Sequence, residues 1–220
     1  MKRNIVYETG RKFIRAYAGL MLKLDIHKHA DLPEGPTLFV ANHPSATDPF
    51  LLHLLDRMSV LITANAFRFP VFGSILRRGG QIAVEPGGNA LEQATHLLRA
   101  GRSIGIFPEG TFSPQTGGFG EPRNGAARLA LTTGAQVVPV GIYLPRERSL
   151  RISSKLAGRP TVGYWYLCGP YALTVGQPMR FEGNPEDREQ VVSVTRAIME
   201  RIMDLAHESE YRLRGVPSAT

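Results

Sequence analysis

Short apolar runs alternate along this chain with segments whose apolar residues recur every three or four positions, and that alternation sets the expected architecture. Thr37-Leu38-Phe39-Val40-Ala41, Ser103-Ile104-Gly105-Ile106-Phe107 and the stretch Gln136 to Ile142 read as buried strands. Leu91 to Ala100, between Gly87-Gly88-Asn89 and Gly101, and Asn124 to Thr133, closed by Gly134, read as helices. Strand, helix and strand in succession predict an α/β fold with a mostly parallel central sheet flanked by helices. Thr161 to Leu167 reads as a further strand whose Tyr164-Trp165-Tyr166 cluster packs within the sheet, with Cys168 expected in the core. A long closing helix is expected from Asn184-Pro185, with Glu186 and Asp187 in its first turn. Its stripe of Val191, Val194, Ile198, Ile202 and Leu205 faces the core.

The ends of the chain read differently. If residues 1–30 are helical, Val6, Phe13, Tyr17, Leu20 and Leu24 share one face, and Glu8, Arg11, Lys12 and Arg15 lie opposite. Residues 1 to 28 hold seven lysines and arginines against Glu8 and Asp25, so an N-terminal basic amphipathic helix at a membrane interface is expected. Residues 31–210 form the main domain, and 211–220, with Gly215 and Pro217, read as a loose tail. Arg146 to Arg159 is expected to be a basic loop.

Composition narrows the function classes. At 220 residues and 43% hydrophobic content, one domain with a sizeable core is expected. No apolar run reaches the roughly 20 residues that span a bilayer. The single cysteine leaves no intramolecular disulfide and suits a reducing cytoplasm. A net charge of +7 fits a phosphate-rich partner, yet the chain has no helix-turn-helix signature, zinc-ligand set or RNA-binding aromatic motif. No nucleic-acid partner is expected, and no metal, since the six histidines show no ligand spacing with one another.

The candidate chemistry lies at two strand ends. His43 stands five residues before Asp48, the pattern of a general base with an orienting carboxylate. In a continuous helix the two would lie about 140° apart. Pro44 and Asp48-Pro49 instead predict a strand-to-helix turn, with Asp48 as N-cap of a helix running through Phe50 to Leu55. Glu109, Gly110 and Thr111 lie at the carboxyl end of a second strand, where open α/β sheets bind ligands. Glycine permits close approach, and Glu109 and Thr111 can hydrogen-bond a hydroxylated substrate.

These blocks are similar to those of the glycerolipid and lysophospholipid acyltransferases, of the 1-acyl-glycerol-3-phosphate acyltransferase type. The resemblance runs from about Pro36 to Leu205. It rests on Asn42-His43 to Asp48, Phe72-Gly73 to Gly80-Gln81-Ile82-Ala83-Val84, Phe107 to Thr111, Gly125-Ala126-Ala127-Arg128-Leu129-Ala130 and Val138-Pro139-Val140. It implies that His43 deprotonates an acceptor hydroxyl, that Asp48 orients His43, and that the alkoxide attacks a fatty acyl thioester directly. Acyl-CoA or acyl carrier protein is the implied donor, membrane lipids are the implied partners, and no cofactor is needed. The implied location is cytoplasmic, peripheral on the inner face of the cell membrane. Asn42, Ser45, Glu109, Gly110 and Thr111 are the implied substrate contacts. Oxyanion donors are expected from backbone N–H groups near the start of the Pro49 helix or at Gly110-Thr111.

Two departures bear on the acceptor. The family commonly carries arginines where this chain has Pro86 and Phe112, and both are associated with the acceptor's phosphate. Arg77, Arg78 and Arg123 are candidates to replace them. The resemblance implies a lysophospholipid or related glycerolipid acceptor of the 1-acyl-glycerol-3-phosphate type; the alternatives are an acceptor without phosphate or with a larger headgroup, or a lipid-binding homologue of weak catalysis. The glycine-rich loop 111–123 reads either as a hinge that folds Phe112 and Phe119 over an acyl chain or as an inert connection.

Overall fold

The computed structural model describes residues 5–156 and 159–215. A helix α1 (Ile5–Met21) leads into strand β1 (Leu24–Lys28), then β2 (Thr37–Ala41), α2 (Asp48–Leu52) and β3 (Met58–Thr63). After a 3-10 turn over 64–68 follow α3 (Pro70–Arg78), β4 (Ile82–Val84), α4 (Ala90–Arg99), β5 (Ser103–Ile106) and α5 (Gly125–Thr133). The chain continues through β6 (Gln136–Tyr143), β7 (Leu150–Leu156), β8 (Arg159–Trp165), β9 (Tyr171–Val175) and the long α6 (Arg188–Arg214).

Seven strands form one sheet in the order β1-β9-β6-β2-β5-β3-β4. From β6 to β4 all neighbours are parallel, while β9 runs antiparallel to β6 and β1 runs parallel to β9. Side chains alternate across the sheet, so β2 sends Phe39 and Ala41 to one face and Leu38 and Val40 to the other. The first face packs on Ala18 of α1, on Leu22 just past its end, and on Leu51 and Leu52 of α2. The second packs on Ala94 and Leu98 of α4, Leu129 of α5, and Ile198 and Ile202 of α6. The expected α/β architecture is thereby seen as three layers.

Close packing places α6. A Cβ built on Gly141 of β6 would sit 2.1 Å from the backbone nitrogen of Ala206, so only glycine admits the helix there. Ser209 Oγ donates to the Gly141 carbonyl at 2.9 Å in the same crossing. The expected stripe Val191, Ile198, Ile202 and Leu205 is buried, with Val194 half-buried beside it. The helix starts later than Asn184, because Asp187 caps it by accepting from the N–H groups of Glu189 and Gln190. It also runs to Arg214, with Gly215 in the left-handed conformation as its stop, so 211–214 are helix rather than tail. Residues 216–220 of the expected tail lie outside the described residues.

Three further expectations are corrected. The N-terminal helix stops at Met21, the chain turns at Lys23 with φ 42°, and Leu24 belongs to β1. Its core-facing residues are Tyr7, Ile14 and Ala18, with Tyr17 beside them and Leu22 continuing the stripe past the helix, while Phe13 (73% exposed) and Leu20 (82%) point to solvent. The residues after Arg148 form the strand pair β7–β8 instead of a loop. Cys168 lies in the turn beyond β8 and is exposed.

Candidate active site

The site forms where the carboxyl ends of β2 and β5 meet the amino end of β9. Because β9 runs against β6, its first residue, Tyr171, lies at the same end of the sheet as His43 and Phe107. Pro44 and Pro49 bound a tight turn between β2 and α2. Asp48 does not cap α2, whose N-cap is Thr47 without a side-chain bond. Its carboxylate turns back over the loop: Oδ2 meets His43 Nδ1 at 2.8 Å and the Ser45 N–H at 2.9 Å. Oδ1 accepts from the Tyr171 hydroxyl at 2.5 Å.

Asp48 is fully buried and holds three donors, which compensate the loss of water around an ionised carboxylate. An ionised carboxylate can only accept, so His43 carries its proton on Nδ1 and leaves Nε2 as a free base. Burial, with the Asp48 charge second, pushes the Tyr171 phenol well above its ordinary range, so it remains a donor. The imidazole lies between two rings, stacked on Phe107 at 4.1 Å and tilted against Phe112 at 4.7 Å. Phe112 in turn meets Tyr164 edge-on at 5.7 Å. These aromatic walls fix the ring plane that the hydrogen bond to Asp48 orients.

Several expected substrate contacts build the site instead of facing a substrate. Asn42 is buried and brackets β6, donating to the Ile142 carbonyl and accepting from its N–H. Ser45 is buried and joins Thr47 Oγ1, the Tyr164 carbonyl and the Tyr166 N–H. Glu109 is buried too: Oε1 accepts from the His43 N–H and Ser113 Oγ, and Oε2 accepts from the Gly120 N–H. With their polar atoms so engaged, all three are scaffold. Gly110 is exposed with φ 64°, and the Arg123 guanidinium lies where its Cβ would be, 2.6 Å from Nε. Arg123 has no side-chain hydrogen bond or ion pair among the described residues. Arg77 donates to the Phe67 carbonyl at 2.8 Å, and Arg78 is the exposed last residue of α3.

Oxyanion donors are narrowed by elimination. The N–H groups of Ser45, Ala46, Thr47, Asp48 and Phe50 all have protein acceptors, which removes the start of α2. The N–H groups of Thr111 and Phe112 and the Thr111 hydroxyl have no partner among the described residues. The hinged-lid expectation changes as well. Glu109 pins the loop at Ser113 and Gly120, Arg146 donates to the Pro114 and Gly118 carbonyls, and Phe119 packs against His207 of α6. Only Phe112 of the two phenylalanines faces His43.

Tyr171, Phe107 as a stacking partner, and the Tyr164 and Tyr166 carbonyls that hold the turn escape sequence reasoning. Tyr171 is 123 residues from Asp48, and no local pattern links them. A histidine pair also escaped it. His27 of β1 and His29 just beyond its end meet Glu208 of α6, their ligand atoms within 4.8 Å of one another. These donors could hold a divalent ion, but Arg201 faces His29 Nδ1 at 3.2 Å. A metal-bound imidazole normally donates from its second nitrogen, so that neighbour has the wrong polarity; instead His29 Nε2 meets Glu208 at 2.8 Å, and Glu208 also pairs with Arg212.

Comparisons with known proteins bear on this geometry. Residues 23–143 match the family described as Acyltransferase. The chain is 31% identical over 126 residues to a chloroplastic 1-acyl-sn-glycerol-3-phosphate acyltransferase of Arabidopsis thaliana, covering 54% of this chain and 35% of that one. It is 31% identical over 134 residues to the lyso-ornithine lipid O-acyltransferase of Pseudomonas aeruginosa, covering 57% and 50%. The chain thus spans between about a third and a half of the length of these curated relatives. In fold it is similar to the crystal structure of the 1-acyl-sn-glycerophosphate acyltransferase PlsC from Thermotoga maritima, with a TM-score of 0.63 at 23% identity, covering 89% of this chain and 79% of that one.

Proposed function

This chain belongs to the acyltransferase family, and from that premise we propose that it moves a fatty acyl group from an acyl thioester to a hydroxyl of a lysophospholipid or related glycerolipid. The observation that carries the reading is the Tyr171–Asp48–His43 relay, which leaves a correctly protonated imidazole beside unengaged backbone donors. His43 Nε2 takes the acceptor's hydroxyl proton as the oxygen attacks the thioester carbonyl. The N–H groups of Thr111 and Phe112 and the Thr111 hydroxyl receive the tetrahedral oxyanion. The C–S bond then breaks, the ester forms, and the imidazolium returns its proton to the leaving thiolate. Acyl-CoA and acyl carrier protein present the same thioester, and either serves this step.

Two observations shape the acceptor. Phe112 lies on His43 where the family's arginine is expected, so no guanidinium at that position grips a phosphomonoester. Arg123, laid over Gly110, sets a cation against the Glu109 block. The 1-acyl-glycerol-3-phosphate type is the leading reading, with Arg123 as the cation for its phosphate, and an acceptor without phosphate or with a larger headgroup is the alternative that Phe112 favours.

No helix among the described residues is long and apolar enough to cross a membrane. Outward-facing Phe13 and Leu20 with Lys12 and Arg15 support a peripheral position at the inner face of the cell membrane. The test is acyl transfer from acyl-CoA and acyl carrier protein to a panel of lysolipids with and without phosphate. Activity on one class that His43→Ala abolishes is the expected result, and undiminished transfer by that variant would sink the mechanism.

A further inference from the structure

The β7–β8 hairpin stands apart from the seven-stranded sheet and has two unlike faces. Its register sets Leu150 opposite Trp165 and Ile152 opposite Gly163. Strand alternation puts these four on one face. The Trp165 indole lies over Gly163, whose Cβ would come 2.9 Å from Nε1, so the ring is spread along that face. Leu150 is 53% exposed and Ile152 48%. The opposite face carries Tyr164 to Phe112 and so to His43. Residues 146–165 contain five basic residues and one acidic one.

The base of the hairpin is joined to α1. Tyr17 of α1 donates to the Leu167 carbonyl at 2.5 Å, and the Gly169 N–H donates to the Met21 carbonyl at 2.9 Å. Leu167, Met21 and Leu20 are all exposed at this junction. Apolar side chains thus continue from the outer side of α1 onto the hairpin, with basic residues in both segments.

We propose that the β7–β8 hairpin is a second membrane contact, entering the interface of an anionic bilayer beside α1. The inference rests on the reading that the acceptor is a lipid. Aliphatic side chains and an indole within a segment whose sequence carries five basic residues match a bilayer interface, where apolar groups enter the acyl boundary and cations meet headgroups. An acidic carrier protein would be matched by charge alone and leaves the Leu150, Ile152 and Trp165 face without a role. The hairpin also holds the catalytic turn, since the Tyr164 carbonyl accepts from the Ala46 N–H and the Tyr166 carbonyl from Thr47 Oγ1. The Leu150 face is thus connected to His43 through the strand pair and the rings of Tyr164 and Phe112.

Trp165 is the only tryptophan, so its emission reports the hairpin alone. With vesicles of phosphatidylglycerol and phosphatidylcholine, brominated in their acyl chains, the emission of the full chain shifts to the blue and is quenched. The double variant Leu150→Ser, Ile152→Ser, with an unchanged melting temperature, binds those vesicles about tenfold more weakly or worse. Vesicle binding that leaves Trp165 unquenched, or a double variant that binds as wild type, would overturn the proposal and leave α1 as the contact. An emission change produced only by acyl carrier protein would overturn it in favour of a protein partner. If Trp165 is quenched by vesicles but no lysolipid is acylated, the surface stands and the proposed reaction fails.

Discussion

Replacing Tyr171 with phenylalanine removes one oxygen from the site and keeps the ring. That oxygen donates to Asp48 Oδ1 at 2.5 Å, while the other two donors lie on Oδ2, so Oδ1 is left bare in a fully buried pocket. A hydrogen bond to a charged group contributes about 1.5–3 kcal/mol net. At about 2–4 °C per kcal/mol for a chain of this size, the melting temperature should fall by roughly 3–12 °C. The Tyr171 phenol is raised above the unfolded value by burial first and the Asp48 charge second. Its contribution is therefore complete below about pH 10 and is lost as pH rises beyond it, by about 1.4 kcal/mol per pH unit. The variant lacks that proton linkage. The stability gap between the two proteins should stay constant from neutral pH to about pH 9 and narrow above about pH 10. Urea unfolding of both proteins across that range measures the gap, and steady-state acyl transfer measures the consequence. A less firmly held Asp48 should lower kcat about tenfold, equivalent to about 1.4 kcal/mol, with KM unchanged because Tyr171 is fully buried. Equal urea midpoints for the two proteins at neutral pH would refute the reasoning.

Glu109→Gln puts an amide donor among the N–H groups of His43 and Gly120, so stability should drop by about 2–4 kcal/mol in denaturant titrations and kcat should fall. A rise confined to the acceptor KM would contradict the scaffold role of Glu109. Phe112→Arg should improve kcat/KM for a phosphomonoester acceptor relative to an uncharged one, by about tenfold or more for one charge-assisted pair, as read from paired kinetics. Gly141→Ala places a methyl 2.1 Å from the Ala206 nitrogen and should cost more than about 4 kcal/mol, seen as loss of cooperative melting. Gly10→Ala, within α1 with nothing inside 4 Å, should instead raise stability by about 0.5–1 kcal/mol.

The strands and helices that frame the site were legible because their signals are local. Thr37–Ala41 is apolar without a break, and Gly134 closes α5 through a left-handed turn that glycine adopts at no steric cost. His43 and Asp48 were legible for the same reason, since two prolines bend the five-residue span until the side chains meet. The rotation of α1 was misread, because amphipathic spacing shows that an apolar stripe exists but not which of two apolar sets the rest of the fold covers. The stripe through Tyr7, Ile14 and Ala18, continued by Leu22 past the helix end, won because α2 and the sheet lie on that side, leaving Phe13 and Leu20 outward.

By itself the sequence determined the α/β rhythm, the turn that brings His43 to Asp48 and the family resemblance, all written in neighbouring residues. Only the tertiary structure decided which polar residues face substrate and which hold the scaffold. Asn42, Ser45 and Glu109 carry side chains suited to either task, and partners at Ile142, Tyr166 and Gly120 claimed them for the scaffold. Tyr171 entered the site because the antiparallel course of β9 brings its amino end to the carboxyl ends of the parallel strands. Strand direction in a sheet is a property of the whole chain's path, and no short stretch of residues encodes it.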